Sequence, residues 1–410
     1  MLKNKSTNFI KDKYVNKYIS ASNNIYFLTG LFVLFNLFLF APHIISMRLP
    51  ADDLVANWQT LQYFFSYRLE FMKRGLIGTL FDIANIQPTL RTIWILSFLV
   101  SNIVFFLIYS YLRMAFKSLK SPFVWIFLFL FLFTISPATA WNFAYDEGRS
   151  DVINLLIELI AVSIIVLNDK KFYLLIPLLL ILGVLQHEAF IFMNAPLIMA
   201  LLFDRFIHKK ISTHILINSC VAIFGVSIVI ALYGSISHIN LESLYMLIYH
   251  EPLPIEMPTI NIFMVITSSL STNILWTLEK YLTFDMWKNF MTVIPLFASY
   301  LYLYMKPVKF LSLSIEKRII FISPLLTFPM FVLGVDIYRW FSIILINMFI
   351  VIVYFIDAKV INLDKYKGQG VKNSLYIIIL STFFGALGSY TPFPYIHTMI
   401  DKGILPPVSG

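Results

Sequence analysis

Charge is what this sequence has least of. Only 13% of its 410 residues are Asp, Glu, Lys or Arg, about half the ~25% usual in soluble globular domains. Hydrophobic residues make up 59%, Phe and Tyr number 40 and 22, and mean hydropathy is +0.80. A soluble fold cannot hide that much apolar surface, so a bilayer has to be part of the solvent. Cysteine is nearly absent. Cys220 stands alone inside an apolar run, which excludes an internal disulfide and a thiolate metal cluster. There is no Walker lysine motif and no HExxH, which argues against ATP chemistry and zinc proteolysis. No repeat of fixed period and no low-complexity tract stands out. No cleavable signal peptide is expected: the first apolar run begins near Ile25, after a polar basic stretch, and no small-residue cleavage site follows it.

What is present is a series of apolar runs. Hydropathy predicts an all-α, polytopic chain, one transmembrane domain over residues 1–410, with about eleven spans. The predicted spans are Ile25–Ile44, Ile93–Leu112, Pro122–Ser136, Val152–Leu167, Phe172–Leu185, Ala189–Phe203, Ile215–Tyr233, Phe290–Met305, Ile319–Leu333, Phe341–Ile356 and Ser374–Tyr390. Phe172–Phe203 reads equally well as one long, broken helix pair. Several spans hold only about 15 apolar residues, short of the usual ~20, as in helices packed by protein or facing a cavity.

Lysine and arginine fix the orientation. With the N-terminus inside, 21 of 31 Lys and Arg fall on the inner side beside 6 of 22 acidic residues, a net of +15, leaving −6 for the outer side and the spans. A basic inner face meets the anionic cytoplasmic leaflet, so the formal +9 of the chain is no sign of nucleic acid. The inner loops are short connectors. The outer segments are longer: about 45–92, 234–289, and the tail 391–410.

Polar residues that an apolar chain does not need gather in those outer segments. Asp52 and Asp53 follow Pro50 just beyond the first span. Each is open to two roles, an N-cap for a helix Leu54–Tyr67 lying in the interface, or a catalytic carboxylate. Arg68, Lys73 and Arg74 follow, with Gly75 and Gly78. Guanidinium groups grip phosphate in bidentate fashion and glycine lets backbone N–H groups approach, so the cluster suits a phosphate, with lipid-headgroup anchoring as the plainer role. The stretch WNFAYDEGRSD packs Asp146, Glu147, Arg149 and Asp151 where the chain re-enters the membrane, either as a site or as a turn with Arg149 paired to Asp146 or Asp151. His187 and Glu188 sit between two apolar runs, as a buried pair holding two short helices or as a general base or sugar ligand. In GVDIYRW, Asp336 and Arg339 are spaced for an ion pair, Tyr338 and Trp340 suit an aromatic belt, and Arg339 is again a cation on the outer side. The run Ile260–Leu275 has the character of a re-entrant or lid helix. The spans themselves look nearly charge-free away from their outer ends.

This layout resembles the GT-C superfamily of membrane glycosyltransferases, over most of the chain and by arrangement rather than by a diagnostic string. The resemblance implies a polyprenyl-phosphate-linked sugar donor on the outer face. It implies an essential Asp just beyond the first span, matched by Asp52 or Asp53, and a second acidic motif in the next outer loop, matched by Asp146, Glu147 and Asp151. The chain is also similar to Wzy-type O-antigen or capsular polysaccharide polymerases, whose large late outer loop 234–289 matches, although the long first loop is closer to GT-C. Either family implies a bacterial inner-membrane enzyme with its N-terminus cytoplasmic and its C-terminus outside. The partners implied are the bilayer, a lipid-linked donor, a glycan acceptor and other polysaccharide-assembly proteins. In that chemistry Arg68, Arg74 and Arg339 neutralise the leaving (pyro)phosphate. Asp146 and Glu147 hold a divalent cation or orient sugar hydroxyls without one; no cofactor is fixed by the sequence. The competing readings are a lipid-linked oligosaccharide flippase and a non-catalytic subunit of an assembly complex.

Overall fold

A computed structural model describes residues 26–37, 39–40, 61–119, 121–140, 142–143, 148–167, 171–254, 261–363, 372–373 and 376. Among the described residues the chain is all-helical, with no strand. In order the α-helices are α1 Tyr26–Leu37, then α2 Gly75–Ile83, α3 Leu90–Ala115, α4 Pro122–Ile135, α5 Pro137–Ala140, α6 Asp151–Leu167, α7 Leu175–Gln186, α8 Phe190–Met193, α9 Ala195–Ile207, α10 Thr213–Tyr233, α11 His238–Tyr249, α12 Asn261–Thr267, α13 Leu270–Tyr281, α14 Phe284–Met305, α15 Ile315–Ile322, α16 Met330–Leu333 and α17 Ile337–Asp357.

Three of these, α3, α10 and α17, are long and apolar enough to cross a membrane. At 1.5 Å per residue, the 21 residues of α10 or α17 reach about 32 Å, matching a ~30 Å hydrocarbon core. Their environments differ. α17 is buried along almost its whole length, whereas α10 buries only Ser219, Ile223 and Ile230. α17 is thus the axis of the bundle, and α10 turns most of its apolar surface outward. α3 begins with a reciprocal cap: the Thr92 N–H donates to Thr89 Oγ1 and the Thr89 N–H to Thr92 Oγ1, satisfying donors that a helix start leaves orphaned.

Several predicted spans are broken rather than continuous. Phe172–Leu185 and Ala189–Phe203 become α7 and α9 with the single turn α8 between them. Pro196 has no N–H for the Phe192 carbonyl, and the Thr327 hydroxyl donates to that carbonyl instead at 3.2 Å. Ile319–Leu333 is not one helix: α15 passes into a 3-10 turn, Ser323–Thr327, and then into α16. Pro324 and Pro329 account for both breaks. The last predicted span, Ser374–Tyr390, and the tail lie outside the described residues apart from Tyr376.

The two long loops pack on each other as a cap at one end of the bundle. Leu61, Phe65 and Met72 from the first loop form a core with Ile236, Leu241, Leu244, Ile248, Phe263 and Ile266 from the second. Polar stitches reinforce it: the Lys73 N–H donates to the Gly234 carbonyl at 2.9 Å, and Glu70 accepts from the Ser237 N–H and Asn240 Nδ2 at 2.8 and 2.9 Å. Of the interfacial helix predicted over Leu54–Tyr67, residues 54–60 lie outside the described residues and the rest differs from the expectation. Its described part is one 3-10 turn, Leu61–Phe64, and Leu61 and Phe65 face this protein core instead of lipid. The predicted lid run Ile260–Leu275 falls into α12 and the start of α13, split at Ser268 and Ser269, where Ser269 Oγ caps α13. Trp340, assigned to an aromatic belt, is buried against Phe331.

Gly78 lets α2 lie directly on the 61–65 segment. A Cβ there would stand 2.1 Å from the Phe65 carbonyl oxygen and 2.8 Å from that of Tyr63. Backbone cannot move aside as a side chain does, so Gly78→Ala is expected to destabilise the cap by about 1–3 kcal/mol. Limited proteolysis between residues 61 and 89 reads this out; cleavage as slow as in the unchanged protein contradicts the packing.

Candidate functional site

Four stretches far apart in sequence meet under the cap. α6 opens on Asp151, α17 opens just after Asp336, α7 ends at Gln186 so that His187 follows it, and α2 starts just after Arg74. Gln62 Nε2 donates to the Gly148 carbonyl at 2.9 Å, tying the cap to the turn before α6. Gly148 has φ +90°, a backbone that favours glycine. Arg74 has φ +62° with no such excuse; the left-handed region costs an ordinary residue about 1–2 kcal/mol. That strained turn aims the Arg74 guanidinium at Glu188, with Nη2 at 2.6 Å from Oε1 and Nε at 3.1 Å from Oε2.

The pairs link into one network. Arg339 Nη2 lies 2.7 Å from Asp151 Oδ1 and 2.7 Å from His187 Nε2. Arg339 Nη1 reaches Asp336 Oδ2 at 3.3 Å, and Arg149 Nη1 reaches the same oxygen at 3.2 Å. His187 Nδ1 stands 3.5 Å from Glu188 Oε2, closing the chain to Arg74. Three arginines thus meet three carboxylates. Depth grades the network: the side chains of Asp151 and Arg339 are 2% and 8% exposed, those of Glu188 and Asp336 29% and 43%. Its Asp151–Arg339 floor is sealed, and Glu188 and Asp336 are partly exposed.

His187 is asked for more than a neutral ring can give. The Ala189 N–H points at Nδ1 from 3.1 Å and the Arg339 guanidinium at Nε2 from 2.7 Å. Both are donors, and a neutral imidazole has one acceptor nitrogen. The shorter, charge-assisted contact wins, so Nε2 accepts from Arg339 and the proton sits on Nδ1, facing Glu188. Burial pushes the His187 pKa well below its usual value, and Arg74, Arg339 and Arg149 add to the effect against the pull of Glu188. For Glu188, loss of water works upward, but the charge and hydrogen bonds of Arg74 outweigh it and hold the carboxyl well below the ordinary range.

An unfolded chain protonates its histidine near pH 6.5 while folded His187 refuses the proton. Its contribution is therefore complete above ~6.5 and lost as pH falls below that value, by up to about 1.4 kcal/mol per unit. Glu188 keeps its charge down to far lower pH and adds nothing to this window. Melting temperature in detergent should fall between pH 7.5 and 5.5, and His187→Gln should flatten the slope. An unchanged slope in the variant would contradict a buried neutral imidazole.

Of the residues the sequence points to, Arg74, Arg149, Asp151, His187, Glu188, Asp336 and Arg339 converge. The predicted Asp336–Arg339 pair is present; Arg149 pairs with Asp336 and not with Asp151, and Asp146, its other expected partner, lies outside the described residues. Arg68 is exposed, and its guanidinium is not part of the network. Lys73 turns away, its ammonium donating to the carbonyls of Val265 and Ser268 at 3.3 and 3.1 Å. Asp52, Asp53, Asp146 and Glu147 lie outside the described residues. Among the described residues one trio has metal-ligand geometry, Asp204, His208 and Glu316. It lies at the opposite end of the bundle, and Lys317 already occupies Asp204 at 2.7 Å, which disfavours a cation there.

Glu158 is fully buried midway along α6 and corrects the expectation of nearly charge-free spans. The signal was available: one carboxylate in the run VINLLIELIAV. No protein-family model, curated protein or solved structure matches this chain.

Proposed function

We propose that the chain is a membrane glycosyltransferase of the polysaccharide-polymerase type, using a polyprenyl-(pyro)phosphate-linked sugar at the outer face of a bacterial inner membrane. The observation that carries this reading is the convergence of Arg74, Arg149 and Arg339 with Asp151, His187, Glu188 and Asp336 at one end of an apolar bundle, beneath a cap. The charge count puts that end outside. An apolar chain keeps so many ionisable groups together at a membrane boundary for a charged ligand more readily than for packing.

Chemically, the lipid tail lies along the bundle and its phosphate docks at the exposed Glu188–Asp336 edge, taking over guanidinium hydrogen bonds from those carboxylates. The acceptor hydroxyl attacks the anomeric carbon and the carbon–oxygen bond to phosphate breaks. The phosphate leaves with the electron pair, and Asp52 or Asp53 takes the hydroxyl proton. A positioned base contributes roughly 100- to 10,000-fold, and one in-line attack inverts the anomeric centre, by analogy with other sugar chemistry.

Alanine at Asp52, Asp53 and Arg74, each separately, with glycan chain length assayed in membranes, tests the proposal. Short or absent polymer in the Arg74 variant and in one Asp variant supports it; normal polymer in all three removes it. A second reading, a lipid-linked oligosaccharide flippase, draws on Glu158 and on the broken helices α7–α9, features that transport proteins use. Lipid-linked substrate crossing sealed vesicles without glycan elongation would favour it.

A further inference from the structure

Below the Asp151–Arg339 ion pair the bundle interior stays polar. α6 and α17 both start at the cap end, where the Asp151–Arg339 ion pair joins their first turns. Asn154 and Glu158 stand three and seven residues beyond Asp151 on one face of α6, about 4.5 and 10.5 Å deeper. Ser342 and Asn347 stand three and eight residues beyond Arg339, about 4.5 and 12 Å deeper. Asn194 supplies a third wall from the break between α8 and α9. All five side chains are 0–1% exposed.

Two hydrogen bonds hold the cluster together. Asn194 Nδ2 donates to Glu158 Oε2 at 2.6 Å, and Asn347 Nδ2 donates to the Met193 carbonyl, next to Asn194, at 2.6 Å. Each amide nitrogen faces an acceptor, which fixes which way each amide points. What is left over is one-sided. Glu158 Oε1 and the Oδ1 atoms of Asn154, Asn194 and Asn347 have no hydrogen-bond partner among the described residues. The donors left over are fewer, Asn154 Nδ2 and the Ser342 hydroxyl. Four buried acceptor oxygens, one of them on a carboxylate, are thus left with fewer donors than they need.

A cation turns each of those oxygens into a ligand. The single carboxylate sets the valence: a monovalent ion is neutralised there, whereas a divalent ion leaves a net charge in the apolar interior. Carboxylate and amide oxygens are hard ligands, suited to alkali and alkaline-earth ions rather than to soft metals. The place is also apt, because the helix breaks at Asn194, beside Glu158, and broken helices at membrane depth are where coupling ions bind.

We propose that Glu158, Asn154, Asn194 and Asn347 form a binding site for a small monovalent cation of the sodium class. The site is independent of the glycosyl-transfer reading. Melting of the full-length protein in detergent at neutral pH, with NaCl exchanged for choline chloride at constant total salt, tests it. A ligand that binds the folded state alone raises the melting temperature in proportion to RT ln(1 + [L]/Kd). The unchanged protein should melt progressively higher as NaCl rises, and less so with KCl. Glu158→Gln should melt at one temperature in both salts. Asn347→Ala should move the NaCl midpoint at least tenfold upward, and it carries the test if Glu158→Gln does not fold. Equal melting of the unchanged protein in NaCl and choline chloride overturns the proposal. So does a Glu158→Gln protein that keeps the full sodium response, and so does stabilisation by lowered pH in place of sodium, which would make a proton the occupant.

Discussion

Arg339→Met should cost the protein about 3–5 kcal/mol of stability, the usual penalty for stranding one partner of a buried ion pair. The reason is Asp151. Its carboxylate is buried and takes a 2.7 Å bond from Arg339 Nη2; methionine fills much of the space and returns none of the charge. The same substitution removes the donor at His187 Nε2 and one of the two guanidinium contacts to Asp336. Adding Asp151→Asn should restore part of the loss, because an amide is far cheaper to bury than an unpaired carboxylate. Thermal unfolding in detergent separates the cases: the double variant should melt above Arg339→Met alone and below the unchanged protein. A single variant within about 0.5 kcal/mol of the unchanged protein, the range of ordinary surface substitutions, would mean that the Asp151–Arg339 pair does not stabilise the fold.

The second large effect concerns Arg74 and separates substrate binding from scaffolding. Arg74→Gln should lower sugar transfer by about 100-fold or more, the scale on which removing one electrostatic contact to a developing charge slows catalysis. Loss of activity alone is ambiguous, because the Arg74–Glu188 pair also ties the cap to the α7–α8 turn. Exchanging the two residues, Arg74→Glu with Glu188→Arg, resolves it. The pair is re-formed with opposite polarity, so melting should recover toward that of the unchanged protein while transfer stays low, since the guanidinium no longer springs from the strained turn at residue 74. Recovery of transfer together with stability would make Arg74 a structural residue only.

Much of this site was legible because ionisable groups are conspicuous in an apolar chain. His187, Glu188, Asp336 and Arg339 each interrupt a hydrophobic run, and the cost of placing charge there singles them out without any knowledge of the fold. Adjacency in sequence was a poorer guide. Arg68, Lys73 and Arg74 read as one basic cluster, yet the left-handed turn at Arg74 sends its side chain to Glu188 while Lys73 reaches into the cap and Arg68 faces outward. The polar seam below the site was hidden for a different reason. In α6 and α17 the residues flanking Asn154, Glu158, Ser342 and Asn347 are apolar on every side, so hydrophobic periodicity does not say which face turns inward. Hydropathy also averages over proline. Pro196, Pro324 and Pro329 leave the predicted spans as apolar as before while breaking each helix, and the breaks expose carbonyls that side chains from distant segments then satisfy. The cap core was equally out of reach, because nothing local says that Leu61 and Phe65 meet Leu241 and Phe263 rather than lipid.

The central claim is that the Arg74–Arg149–Arg339 network handles a lipid-linked sugar phosphate. The most direct measurement is sugar transfer by the purified protein in proteoliposomes, from a polyprenyl-phosphate or polyprenyl-pyrophosphate sugar to a glycan acceptor, with the unchanged protein beside Arg74→Gln. Elongated glycan with release of the polyprenyl (pyro)phosphate is expected in the first, and about 100-fold less in the second. Equal transfer by the two proteins, or no transfer by either while the lipid-linked donor crosses the membrane, would contradict it.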